Sequence, residues 1–481
     1  MMQRTSPSIS GREPELQALM RQDRRRARAE VSVDDQTITS CFACALHMHQ
    51  PTIPAGENGE LISHLQYMFE HSNEGDNHNA EAFAHCYRRL ADIIPELINE
   101  GCKPRIMLDY SGNLLWGFAQ MQREDIIGAL KYLTSDRTMQ EHVEWLGTFW
   151  GHAVAPSTPA QDFKLQISAW QHQFASMFGT EALKNVHGFS LPEMHLPNHP
   201  DTLFELIRAL QDSGYSWLLV QEDSVEQCDG KPLSQQQKYL PNQLFCQNSR
   251  REQIEITVLI KTQGSDTKLV GQMQPYYEAV GLGQQTIETI NIPSMVTQIA
   301  DGENGGVMMN EFPDAYRQAH QRIRDESNGT IAMNGTEYIE WITRKGINKN
   351  SLPKIQAIHQ HTLWNAIGPQ ISTMTLESAI KSLKEHDPHF SMNGGSWTNN
   401  ISWVDGYENI LDPMNQLSRD FHKKFGAQIL DPTMTTTIPY QQLLLYLLVL
   451  ETSCFRYWGQ GQWTDYARDI ESRGNELLKQ A

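Results

Sequence analysis

Two acids in this chain stand where an apolar run gives way to a turn, and an acid just past a buried strand end is positioned to do chemistry. The first is Glu193, the one carboxylate in Gly188-Phe-Ser-Leu-Pro-Glu-Met-His-Leu-Pro197. The β-favouring run before it stops at Pro192, which has no N–H to give to a sheet ladder. The second is Asp301, in Ile299-Ala-Asp-Gly-Glu-Asn-Gly-Gly306, where an apolar strand breaks into an acidic, glycine-rich loop that also presents Glu303. Taken singly, each has a plain structural reading: Glu193 as a cap on the segment His199-Pro-Asp-Thr, and Asp301-Gly as a turn. A calcium loop fits the second poorly, because its acids are too closely spaced and no distal Glu closes it.

Histidines and aromatic residues keep company with these acids. In His47-Met-His-Gln-Pro51 the two histidines share one face of a strand by parity, as metal ligands, as donors to a sugar hydroxyl, or as plain barrel-mouth histidines. In Glu144-Trp-Leu-Gly-Thr-Phe-Trp-Gly-His152 a strand delivers His152 to a turn beside Trp150, and an aromatic face next to a polar group suits the C–H face of a sugar ring. His195 and His199 follow Glu193. Two carboxylates from different strand ends, flanked in this way, are what glycoside hydrolysis requires: one attacks the anomeric carbon and the other protonates the departing oxygen. The two need different protonation states at one pH, so their surroundings must split two similar pKa values.

Elements that could hold these groups follow from the periodicity. Short apolar runs predict strands near 40–46, 105–109, 143–149, 187–191, 217–221, 254–260 and 295–300. Helical spacing predicts Ala80 to Glu100, Leu114 to Leu133, Asp162 to Phe178 and Asp201 to Asp212 between them. Alternation of this kind gives an α/β fold with a parallel sheet, and polar motifs at several strand ends favour a barrel over an open sheet. After about residue 330 the alternation stops, and helices are expected at 337–344, 376–386, 413–425, 440–456 and 463–478. The expected division is a charged tail over 1–35, a catalytic barrel over 36–330 and a mainly helical domain over 331–481. Residues 52–79 and 222–253 read as long loops that could close over a site.

Composition narrows the class. A formal charge of −18 repels nucleic acid and anionic membranes, so a neutral or cationic ligand is expected. Seven scattered cysteines read as reduced thiols, and Cys41 and Cys44, three apart on a strand, point to opposite faces rather than forming a redox or zinc pair. Residues 1–35 are polar and arginine-rich, unlike a secretory signal, and the apolar run Leu443 to Leu450 is too short to span a bilayer. A cytoplasmic protein is expected.

With these motifs in order, the chain resembles glycoside hydrolase family 57, the α-glucan-active amylases, 4-α-glucanotransferases and branching enzymes, across about residues 40 to 410. The resemblance runs through His49-Gln50-Pro51, Glu144 with His152, Pro192-Glu193, and Asp301, Glu303 and Gly306 as D-x-E-x-x-G. It implies a distorted (β/α)₇ barrel with a helical C-terminal domain, and a retaining mechanism without metal or cofactor on α-glucan or maltooligosaccharide. By matching motif, Glu193 would be the nucleophile and Asp301 the general acid/base, with Glu303 supporting it. His49 and His152 would bind substrate, with His47 and Trp150 beside them, and Trp397 in Gly395-Ser-Trp-Thr-Asn-Asn-Ile-Ser-Trp403 would reach the cleft from the helical domain. The sequence departs from the family at Met194-His-Leu-Pro and at Glu303-Asn-Gly-Gly, which bear on subsites.

Two other classes remain open at this level. One is a metal-dependent barrel hydrolase or deacetylase, with His47 and His49 joined by His195, His199 or Asp301 as ligands. The other is a glucan-binding homologue without turnover. Oligomeric state is left open.

Overall fold

The computed structural model describes residues 6–22, 37–262, 268–303, 311–326, 328–369, 371–396, 404–457 and 461–480. Seven parallel strands close into a barrel: β1 Ser40–Met48, β2 Ile106–Tyr110, β3 Val143–Gly147, β4 Gly188–Ser190, β5 Trp217–Gln221, β6 Gln253–Lys261 and β7 Ile290–Asp301. β1 lies between β2 and β7, the others follow in chain order, and β6 meets β7 at Lys261 and Thr297 to complete the ring. Every expected strand is found, within a few residues of its expected ends.

The strands are buried on both faces, as in a parallel sheet covered by helices outside and filled by side chains within. On β1 the two faces separate cleanly. Phe42, Cys44 and Leu46 belong to the outer core, whereas Cys41, Ala43 and Ala45 belong to the inner one with Met107, Leu146, Trp217, Leu219, Leu259, Met295 and Ile299. Cys41 and Cys44 are therefore on opposite faces, as parity predicts. Continuing the inner alternation to the strand ends aims His47, Asp109, Gln221, Lys261 and Asp301 into the barrel mouth.

Several local expectations need correction. Residues 52–79 hold a buried two-stranded ribbon, Thr52–Ile53 with Ile62–Ser63, and the helix His64–Glu70. Residues 222–253 contain the strands Val225–Gln227 and Asn242–Gln247, tied to β6 and to a later strand, Lys354–Ala357. Their amides hid this structure from the periodicity by bonding locally: Asn242 Nδ2 donates to the carbonyls of Gln237 and Leu240 at 2.7 and 2.8 Å. Neither stretch is a free lid. The single helices expected at 80–100 and 114–133 are pairs, Ala80–Arg88 with Leu90–Asn99 and Gly112–Gln120 with Glu124–Ser135.

Part of the charged N-terminal stretch is docked. The helix Glu13–Met20 buries Leu16 and Met20, and Ser10 Oγ donates to the carbonyl of Thr435 at 2.7 Å. Helices Glu408–Phe425, Ile438–Leu450 and Gln462–Gln480 pack together and share the outer core of the barrel. The helix expected at 440–456 breaks after Leu450, and Thr452 instead bridges Ala153 beyond β3. Gly151 is held against this break so closely that a Cβ there would lie 2.1 Å from the carbonyl oxygen of Leu448. Among the described residues no helix is long and apolar enough to cross a membrane.

Candidate active site

Register on the sheet builds the site. His47, at the end of β1, is paired with Asp301 on β7 and with Asp109 on β2, so one imidazole lies between two carboxyl-bearing neighbours on the inner face. Its Nδ1 is 2.9 Å from Asp109 Oδ2 and its Nε2 is 2.7 Å from His152 Nε2. Burial opposes a positive charge on this ring, but Asp109, then Asp301 and Glu193, outweigh it and raise its pKa.

Beyond β3 the backbone turns through a left-handed conformation at His152, φ 56°, and the ring's Nδ1 meets Ser453 Oγ at 2.7 Å. Beyond β4 two successive residues take the same unusual conformation, Glu193 at φ 58° and Met194 at φ 51°. A non-glycine residue held there is under local strain, which concentrates at functional sites. The turn sends Met194 into the inner core and leaves the Glu193 side chain at the mouth, 14% exposed. Ser396 Oγ pins the turn by donating to the Glu193 carbonyl at 2.9 Å, and Ser453 Oγ donates to Glu193 Oε1 at 3.3 Å.

On the other side, the Gly302 N–H donates to the His47 carbonyl at 2.8 Å, which curls the chain so that Glu303 turns inward. Glu303 Oε1 accepts the His49 N–H at 2.7 Å. Burial, then the charge of Asp301 and the hydrogen bond between the two carboxyl groups, hold the Glu303 pKa well above the usual carboxylate range. A carboxyl group whose pKa is raised on folding contributes stability below its unfolded pKa and loses it as pH rises through the folded value. Glu303→Gln keeps an acceptor for His49 and a donor for Asp301, so its melting temperature is expected to match the wild type near pH 5 and exceed it increasingly toward pH 8. A difference that stays flat across that range contradicts the assignment.

His49 completes the floor of the mouth. Its ring stacks on His152, centroids 3.8 Å apart and 7° from parallel, with Nδ1 2.8 Å from Ser111 Oγ and Nε2 3.5 Å from Cys454 Sγ. Burial, then the neighbouring imidazoles, keeps both His49 and His152 neutral well below the ordinary histidine pKa. Arg456 is fully buried behind them, donating to the Glu451 carbonyl at 3.2 Å, and burial lowers its pKa to about 10 despite Glu451, Tyr407 and Glu193.

Glu193, Asp301, Glu303, His47, His49 and His152 are thus brought together, while other expected residues are not. His47 and His152 use both ring nitrogens on protein partners and are nearly enclosed, so neither is set to bond a sugar hydroxyl directly. Trp150 is fully buried, its ring so close over Gly112 that a Cβ there would lie 2.1 Å from it; it offers no face to a ligand. Glu144 lies at the amino end of β3, where it accepts the Thr336 N–H at 3.2 Å and caps the helix Gly335–Arg344. His195 Nε2 bonds the Asn393 carbonyl at 2.7 Å and His199 faces Glu377 at 3.2 Å, so of the third ligands open to the metal reading only Asp301 stands beside His47. Trp397, Trp403 and Gly306 lie outside the described residues.

Three contributors escaped the sequence reading. Asp109 was visible as an acid closing the strand 105–109. Ser453 and Cys454 were hidden inside a run with helical composition, and only the helix break exposes them.

No family model matches the chain, and no curated protein matches it in sequence. Among solved structures it is similar to a branching enzyme of glycoside hydrolase family 57 from the hyperthermophilic archaeon Thermococcus kodakaraensis, at 12% identity and TM-score 0.55, covering 91% of this chain and 90% of that one. It is also similar to an α-amylase from Thermotoga maritima, at 11% identity and TM-score 0.51, covering 92% and 93% of the two chains. A 4-α-glucanotransferase from Thermococcus litoralis matches at 15% identity and TM-score 0.48 over 87% of this chain, which spans 60% of that protein's length. The chain has the fold of the family 57 enzymes, as its motifs suggested.

Proposed function

We propose that this protein is a retaining enzyme acting on α-linked glucose chains by double displacement, with Glu193 as nucleophile and Asp301 as general acid/base. The observation that carries the reading is that these two carboxyl groups, from separate strand ends and both partly open to solvent, meet one pair of imidazoles: Asp301 is in register with His47, and Glu193 Oε1 lies 3.9 Å from Nδ1 of His152, whose Nε2 is 2.7 Å from His47 Nε2. The fold shared with α-glucan enzymes supports the substrate class.

In the first step a Glu193 carboxylate oxygen attacks the anomeric carbon, the bond from that carbon to the leaving sugar's oxygen breaks, and Asp301 gives its proton to that oxygen. In the second, Asp301 takes a proton from water or from a sugar hydroxyl as that oxygen attacks the same carbon, and the Glu193 carboxylate is released. Glu303, sharing a hydrogen bond with Asp301, holds that carboxyl group in place. His49, the least enclosed of the three histidines and held at Nε2 only by a 3.5 Å contact to Cys454 Sγ, is the one assigned to meet substrate.

The test is product profiling on amylose and maltoheptaose, separating glucose release from chain-length redistribution, with Glu193 and Asp301 variants as controls. Hydrolysis or transfer abolished in both controls supports the reading. No change in any α-glucan, with oligosaccharide still bound, makes the protein a glucan-binding homologue instead.

A further inference from the structure

We propose that Ser453, delivered by the helical domain, is a positioning residue for Glu193, and that Asp109, His47, His152 and Ser453 form one directed proton chain ending on its Oε1 atom. This rests on the reading of Glu193 as nucleophile. The links are Asp109 Oδ2 to His47 Nδ1 at 2.9 Å, His47 Nε2 to His152 Nε2 at 2.7 Å, His152 Nδ1 to Ser453 Oγ at 2.7 Å and Ser453 Oγ to Glu193 Oε1 at 3.3 Å.

Counting protons fixes the direction. With Glu193 ionised as a nucleophile must be, and Asp109 as the accepting end, each of the four links must hold one hydrogen. Two neutral imidazoles and one hydroxyl bring three, so the chain must carry one more, and a histidine next to a carboxylate is where it rests. His47 is that ring: it faces Asp109 on β2, Asp301 on β7 and the charge of Glu193, against the neutral His49 and His152. His47 then donates at both nitrogens, His152 accepts at Nε2 and donates at Nδ1, and Ser453 donates to Glu193. Among the described residues, the charges acting on Glu193 include this imidazolium and the buried Arg456.

The oxygen of Glu193 that Ser453 holds is Oε1. A hydroxyl aimed at Oε1 favours the ionised carboxylate before attack and again when it leaves the sugar, so it acts on both steps. The helix break at 451–453 is what places this hydroxyl, which makes the docked helical domain part of the site rather than a cover for it.

The experiment compares wild type, Ser453→Ala and Ser453→Thr. With α-glucosyl fluoride, the acidic limb of the kcat/KM profile is expected to move up by about one pH unit in Ser453→Ala and to return in Ser453→Thr, which keeps the hydroxyl. With 5-fluoro-α-glucosyl fluoride, the mass-labelled Glu193 ester is expected to persist about tenfold longer in Ser453→Ala. In ¹⁵N-histidine spectra of the same proteins, His47 is expected to remain an imidazolium at pH 8, and the His152 Nδ1 signal to shift on loss of the hydroxyl. An unchanged acidic limb and ester lifetime in Ser453→Ala would sink the chain while leaving the function standing. A wild type that is neither labelled nor active removes the nucleophile reading, and the spectra still judge the chain: two histidines titrating independently overturn it.

Discussion

Glu193→Gln is expected to lower turnover of maltooligosaccharides by on the order of 10⁴-fold or more, with the fold intact. The amide matches the carboxylate in shape, and its oxygen still accepts from Ser453, so the bond that locates the side chain survives. What it lacks is the negative charge and nucleophilicity needed to capture the anomeric carbon. The left-handed backbone at this position is unchanged, since glutamine pays no more strain there than glutamate. The measurement is initial rate on maltoheptaose together with thermal melting. Retention of more than about one per cent of activity, in a protein free of wild-type contamination, would exclude Glu193 as the nucleophile.

The second large effect is conditional on the leaving group. Asp301→Asn removes the proton donor, so cleavage of a glucan, whose departing sugar oxygen is a poor leaving group, is expected to slow by about 10²–10⁴-fold. Fluoride leaves without a proton, so formation of the glycosyl ester from α-glucosyl fluoride is expected to be largely spared. The ester then accumulates, because no base activates water, and added azide should release it as the glucosyl azide. Equal losses on both substrates would deny Asp301 the acid role and point to a general disturbance of the mouth. Asp301 is paired in register with His47 and hydrogen-bonded to Glu303, so melting of the variant separates that outcome from misfolding.

How much of this was legible beforehand follows the range of the forces involved. The alternation of strands along the chain and the shared face of His47 and His49 could be read because side chains alternate along a strand wherever it pairs. Pro192 ending a strand before Glu193, and glycine breaking the chain after Asp301, are likewise local effects of backbone chemistry. The same reasoning failed at 222–253, where amides bonding to nearby backbone masked short strands behind a polar composition. It failed for Trp150, because an aromatic beside a site motif reads alike whether its face is open or pressed onto Gly112.

The sequence by itself determined the seven-strand alternation, the shared face of His47 and His49, and two acids following strands in the order of a known family. Tertiary structure alone decided that Asp109 and Asp301 flank His47, that His152 turns inward to join it, and that a serine about 260 positions after Glu193 donates to its carboxylate. The difference is physical. Periodicity and turn chemistry act within a few residues, whereas strand register and the docking of a broken helix depend on how the whole core closes. Hydrogen bonds of this kind form only after that closure has set distances to a few tenths of an ångström.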